Sequence, residues 1–146
     1  MVDLLPYIRS FILADTALTA NLSSFDGSKA VFTRRPVPED ADYPFILINP
    51  QITQTQSDYV NLIKRDVIYD IIVYGQNDTA ANYRKVEETA FLLARKFARL
   101  RGTDMEMPTG FYLVQAVGIG SFPAPTDDQT KAARAVSVTF TIAMEQ

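Results

Sequence analysis

Apolar positions along the chain keep two different periods, and the switches between them mark out the elements. From Asp3 to Leu22, the residues Leu4, Leu5, Ile8, Phe11, Ile12, Leu18 and Leu22 gather in one arc at about 100° per residue, the signature of an amphipathic helix, with Pro6 tolerated in its first turn. Asp15 falls inside that apolar arc. A carboxylate there serves better as a cap, so the pattern predicts a break near Ala14–Asp15 and a second short helix from Thr16. Asp26-Gly27 then marks a turn, Ala30 to Thr33 a short strand, and RRPVPEDADYP an extended, exposed loop.

Phe45-Ile46-Leu47-Ile48 is a continuous apolar run closed by Asn49-Pro50, which fits a strand buried on both faces. The polar tract QITQTQSDY that follows favours extended backbone but offers nothing to a core. From Asn61 to Tyr74 the period becomes two: Val67, Tyr69, Ile71 and Val73 share one face, while Asp66, Ile68, Asp70, Ile72 and Tyr74 share the other. Gly75 is expected to end this strand and Asp78 or Thr79 to cap a helix running to Leu100, with Gly102 as its left-handed stop. Tyr83, Val86, Ala90, Leu93, Ala94, Phe97 and Leu100 form the buried stripe of that helix; Arg84, Lys85, Glu88, Arg95, Lys96 and Arg99 line its other side. Phe111 to Phe122 reads as a strand. Val136, Val138, Phe140, Ile142 and Met144 alternate with polar or small residues as the last strand, after a polar, Pro-containing excursion, PAPTDDQTKAAR. The pattern predicts a single α+β domain over residues 1–146: a mostly antiparallel β-sheet with two helices packed on one face, in the order α-β-β-β-α-β-β.

Composition removes most chemistry. The chain has 146 residues, 47% of them hydrophobic and 21% charged, enough for a real core without staples, and it contains no His, Cys or Trp. Nucleophilic sites of the Ser-His or Cys-His kind cannot be built, nor can thiolate metal centres. The remaining carboxylate sets are Asp40 with Asp42, Asp127 with Asp128, and Asp66 with Asp70, each too poor in converging oxygens for a hard cation. Val117-Gly118-Ile119-Gly120-Ser121-Phe122 superficially resembles a phosphate loop, but it does not open a helix, and a strand bend or bulge accounts for the glycines. No catalytic residue, metal or cofactor is expected.

The net charge is -3, unevenly spread: residues 61–102 hold eight basic and five acidic side chains, and the rest of the chain is acidic. The basic set Arg95, Lys96, Arg99 and Arg101 complements the negative end of a helix, so it does not need nucleic acid to explain it. No run approaches the ~18 apolar residues of a membrane span, and the N-terminal segment lacks the charge pattern of a secretory signal, so membrane contact is not expected and synthesis in the cytoplasm is. Asn21-Leu22-Ser23 and Asn77-Asp78-Thr79 match the glycosylation sequon but are accounted for as helix-boundary chemistry.

Several short matches, in order, carry a resemblance. Leu13-Ala14-Asp15-Thr16-Ala17-Leu18, Val31-Phe32 before a Pro-containing loop, Tyr43-Pro44-Phe45-Ile46, the strand Asp66 to Tyr74 and the helix after it make the chain similar to the tail terminator, or tail-completion, proteins of long-tailed phages and of phage-like particles such as gene transfer agents. The segments 53–60 and 123–134 are longer and more polar than in many of those proteins. The resemblance implies a structural virion protein: a ring, usually of six copies, that caps the tail tube, stops its polymerisation and joins the tail to head-completion proteins. Its partners would be itself, the tube protein and a neck protein, with DNA only in transit through the lumen and host cytoplasm as the place of assembly.

Within that frame Ile68, Ile72, Tyr74, Phe91 and Leu92 are the expected ring-interface residues. Gln54, Ser57, Asp58, Tyr59, Thr126, Asp127, Asp128 and Lys131 are expected on loops that dock to tube or neck. The alternatives are another neck or head-completion protein of the same particle, and a small-ligand-binding α+β module.

Overall fold

The N-terminal apolar arc folds as two helices because its central carboxylate is spent on a cap. In the computed structural model, which describes residues 3–59, 62–124, 126 and 130–145 (without the side chains of 51–59, 62, 121 and 145), α1 is Leu5–Leu13 and α2 is Thr16–Thr19. Asp15 Oδ1 accepts from Leu18 N at 3.0 Å, satisfying one of the orphan N–H groups at the start of α2. The Asp26-Gly27 turn joins β1 (Ser24–Phe25) to β2 (Ser28–Lys29), and both turn residues have positive φ, 50° and 84°, the conformation that matches the twist of a tight hairpin.

Five strands make the main sheet: β3 (Val31–Phe32), β4 (Phe45–Tyr59), β5 (Leu62–Gln76), β6 (Phe111–Pro123) and β7 (Lys131–Glu145), in the order β3-β4-β5-β7-β6. Only the β3–β4 pairing is parallel. Between β5 and β6 the chain crosses the sheet as α3 (Ala80–Phe97), capped by Thr79, whose hydroxyl accepts from Asn82 N at 3.1 Å.

One face of the sheet carries the core. Ile46, Ile48, Val67, Tyr69, Ile71 and Val73 meet Val136, Val138, Phe140 and Ile142 there, under Leu4, Ile8 and Ile12 of the N-terminal segment and Val86, Ala90, Leu93 and Phe97 of α3. All helices pack on this face, as the α+β reading requires. The Tyr69 hydroxyl accepts from Leu4 N at 3.2 Å, which satisfies an N–H group at the helix entry, and burial pushes its phenol pKa up. Thr89, buried on the core side of α3, keeps its hydroxyl satisfied by donating to Lys85 O at 2.8 Å.

Several boundaries differ from the sequence expectations. β4 runs through the polar tract to Tyr59, because residues 54–59 pair one for one with 67–62 of β5 beyond an irregularity between Pro50 and Gln54. Backbone pairing needs no apolar side chain, so polarity alone did not end the strand. β5 passes through Gly75 to Gln76, since that glycine is where Val86 of α3 lies against the sheet; a Cβ there would overlap the Val86 side chain. α3 stops at Phe97 rather than Leu100. Leu100 turns out to exchange both backbone hydrogen bonds with Ala116 of β6, at 3.0 and 2.9 Å, and Gly102 has the predicted positive φ but opens a 3-10 turn over Gly102–Asp104. β7 begins at Lys131, five positions before Val136, its early residues paired with the end of β5. Tyr83 and Ala94 are only partly buried.

Candidate assembly surfaces

Helices cover one side of the sheet and leave the other to fend for itself. Register places Leu47, Ile72, Ala135 and Phe122 in one row across this outer face, Asp70, Ser137 and Ile119 in the next, and Ile68, Thr139 and Val117 in the third. At the β3–β4 end the face is closed by the chain itself. Tyr74 stacks on Phe45 with centroids 5.2 Å apart, Phe45 meets Phe32 edge-on at 5.6 Å, and Arg35 Nη2 donates to the Tyr74 hydroxyl at 3.4 Å. Ile72 is buried in a small cluster with Ala133 and Ala135.

The β6 end is open. Tyr112, Val114, Val117, Ile119 and Phe122 are all exposed, Ile119 to 64% and Tyr112 to 56%. On the outer edge of β6, Leu100 bridges to Ala116 and the turn Gly102–Asp104 packs beside the strand. Scattered apolar residues on a surface need no explanation, but a contiguous row does. Sequence reasoning missed this row, although FYLVQAVGIGSF carries apolar residues at both parities while the helices can cover only one. Gly118 and Gly120 do the work of strand glycines: Gly118 lies against the Phe97 carbonyl of α3, and a register shift falls between Ile119 and Phe122.

On the opposite side of the molecule, α3 presents its own outward ridge. Phe91 is 58% exposed, with Arg95 over its ring at 5.8 Å and Arg84 and Arg99 exposed along the same side. Leu92, expected beside Phe91, instead packs partly against the core. Of the expected interface set, then, Phe91 offers the most surface, Ile68 is half-buried on the outer face, Tyr74 is engaged by Phe45 and Arg35, and Ile72 is covered by its own chain.

The expected docking residues separate into two places. Gln54, Ser57, Asp58 and Tyr59 lie on β4, not on a loop, in the part of the β4–β5 hairpin farthest from β3. Lys131 opens β7, paired with Gln76, and its ammonium sits 4.4 Å from the centre of the Tyr43 ring. Thr126 lies between β6 and β7; Asp127 and Asp128 are outside the described residues.

The reactive candidates do not converge. Asp66 and Asp70 share the outer face, but four residues of strand put them roughly 13 Å apart, too far to share a proton or an ion. Asp66 Oδ1 accepts from Thr141 Oγ1 at 2.6 Å. Asp42 contributes its backbone carbonyl to Ser23 Oγ at 2.7 Å. Among the described residues no three carboxylates gather, and no helix is long and apolar enough to cross a membrane. An open groove of about 360 Å³ lies between α1, the β1–β2 hairpin and the following loop. Two of the three cations that line it, Arg9, Lys29 and Arg34, bond to the backbone: Arg9 Nε donates to Val31 O at 2.9 Å and Lys29 Nζ to Leu22 O at 3.3 Å.

Of the basic set, Lys96 is likewise engaged. Its ammonium donates to Asp15 Oδ2 at 3.2 Å and lies 4.0 Å from the centre of the Phe11 ring. The Leu18 N–H, and then Lys96, hold the Asp15 carboxyl below its ordinary value of 3.8 against the opposing effect of burial. Because the folded pKa is depressed, the contribution is complete above the ordinary value and is lost as pH falls from there through the folded pKa. Asn can keep the cap, so Asp15→Asn removes the charge and its pairing with Lys96 and is expected to cost up to about 1 kcal/mol near neutrality, and the gap from the parent in urea unfolding should close in acid. A gap unchanged with pH would mean that the ionised carboxylate contributes nothing.

No protein-family model matches the chain, and no curated protein matches it in sequence. Solved structures do match. A chain of the virion of a native gene transfer agent particle superposes with a TM-score of 0.67 at 17% identity, covering 98% of this chain and 95% of that one. The two share a fold end to end.

Proposed function

We propose that this chain is a structural protein of a phage-like particle, and within it the tail terminator: a ring that caps the tail tube and joins it to the neck. The observation that carries the proposal is the end-to-end likeness of fold to a chain of a gene transfer agent virion. Two features of the surface agree with it. The molecule exposes an apolar row on one side and an aromatic knob among charged side chains on the other, and a ring gives each subunit two different contact surfaces. The part of the β4–β5 hairpin beyond β3 has a polar sequence, suited to a docking element that must stay soluble until the tube arrives.

In this reading chemistry is replaced by shape. Six copies tile through the apolar surfaces, the hairpins and the Thr126–Lys131 segment meet the tube and neck proteins, and DNA passes through the lumen without being gripped. The ligand-module reading is disfavoured because the basic side chains Arg9 and Lys29 along the open groove beside α1 are tied to backbone carbonyls.

Removing the gene from a producing strain tests the proposal. Electron micrographs should show tubes well beyond normal length and no joined heads, with both defects repaired by supplying the chain in trans. Tubes of normal length without heads would point to another neck protein of the particle. Normal particles would end the assembly reading altogether.

A further inference from the structure

The exposed knob on α3 and the exposed row on β6 are both apolar at the centre and carry opposite excess charge around it. Phe91 stands out with Arg95 one turn on, Arg84 two turns back and Arg99 just past the helix end, and with Glu87 and Glu88 one turn before it, so Arg84, Lys85, Arg95 and Arg99 leave the ridge with an excess of positive charge. The outer sheet face offers a strip of Val117, Ile119 and Phe122, floored by the small residues Ser137 and Thr139, and the β5 carboxylates Asp66 and Asp70 lie on that face one strand further in. An apolar centre with a net basic surround thus has a counterpart in an apolar centre whose neighbouring strand carries two carboxylates, Asp66 and Asp70, to one ammonium, Lys64. Because helices and bare sheet are opposite layers of one sandwich, the same molecule cannot bring them together. A second copy can.

We infer that neighbouring subunits associate helix-to-sheet, with Phe91 of one copy seated on Val117 and Ile119 of the next and Arg95 directed at Asp70. The inference rests on the ring reading and assigns its contact surfaces. A contact of this kind is heterologous, so it repeats from copy to copy and closes only as a ring. It also explains why the apolar row lies on the edge strand, where a neighbour can reach it past no other element. Aromatic and arginine side chains in a desolvated centre are the usual carriers of binding energy, and the opposed charges fix which faces meet.

The absence of native cysteine makes the test direct. A chain carrying both Phe91→Cys and Ile119→Cys, treated with a short bis-maleimide while assembled, should give a ladder of covalent multimers. Each single variant should give none, because a head-to-tail contact never apposes a position to its own copy. Covalent dimers from Ile119→Cys alone would overturn the inference in favour of a two-fold contact. Oligomers by light scattering with no ladder from the double variant would overturn the face assignment and leave the ring standing. A parent chain that stays monomeric at every concentration would end both, whereas a parent that associates and a double variant that does not would support Phe91 and Ile119 as the anchors. As a second measurement, Arg95→Asp and Asp70→Arg should each weaken association by at least about tenfold, and their combination should recover most of the loss; equal loss in the combination would refute the pairing.

Discussion

Phe97→Ala is expected to lower the unfolding free energy by about 3–5 kcal/mol, a large part of the ~5–15 kcal/mol available to a domain of this size. Phe97 is wholly buried at the C-terminal end of α3. Its ring meets Phe11 of α1 edge-on at 5.5 Å and Phe140 of β7 edge-on at 6.2 Å, so one side chain links both helical segments to the centre of the sheet. Truncation leaves a cavity between elements that come from both ends of the chain and cannot collapse independently. Urea unfolding followed by far-UV circular dichroism measures the loss. Phe91→Ala, six residues earlier but 58% exposed, is the control: it should stay within about 0.5 kcal/mol of the parent while weakening oligomers. Equal destabilisation by the two would mean that the exposed ridge is a folding surface and not a contact surface.

The elements with a strict period were legible. β5 and β7 alternate cleanly and α3 keeps its stripe, so their positions and buried faces followed from sequence; Asp15 inside an apolar arc foretold the helix break. Elements that form through backbone pairing with distant residues were not legible in the same way. The polar half of β4 exists because β5 lies beside it, the first residues of β7 because they pair with Gly75 and Gln76, and Leu100 leaves its helix because Ala116 offers two hydrogen bonds. Each is a tertiary gain that outweighs local preference.

The candidate surfaces show the same division. Phe91 could be found on the wheel of its own helix. Ile72 and Tyr74 sit on the face that the alternation assigned them, yet Arg35 and Phe45 engage Tyr74, and Ile72 is buried with Ala133 and Ala135. The β6 row went unseen because its significance depends on which side of the sheet the helices choose. Strand order and helix placement decide that, and neither is a property of one segment.

The close approach of α3 to β6 gives the second large effect. Gly118→Val is expected to destabilise the chain by about 1–3 kcal/mol or more. Gly118 faces Val138 on the core side of the sheet, and a Cβ added to it would lie 2.8 Å from the Phe97 carbonyl oxygen and 3.1 Å from the carbonyl carbon. Those are backbone atoms, which cannot turn aside as a side-chain end could, so the last turn of α3 must lift away from the sheet. Lifting it also strains the two hydrogen bonds between Leu100 and Ala116, two residues from the substitution. Hydrogen exchange should therefore show the amides of Leu100 and Ala116 losing protection before the β5–β7 pairing does. Gly120→Val separates this cause from a general intolerance of bulk in the strand, since nothing lies within 4 Å of its added Cβ. That variant should remain near the parent in urea unfolding. If the two valine variants were equally stable, the helix would not be pressed against the strand as described, and the backbone at Gly118 would be free for another purpose.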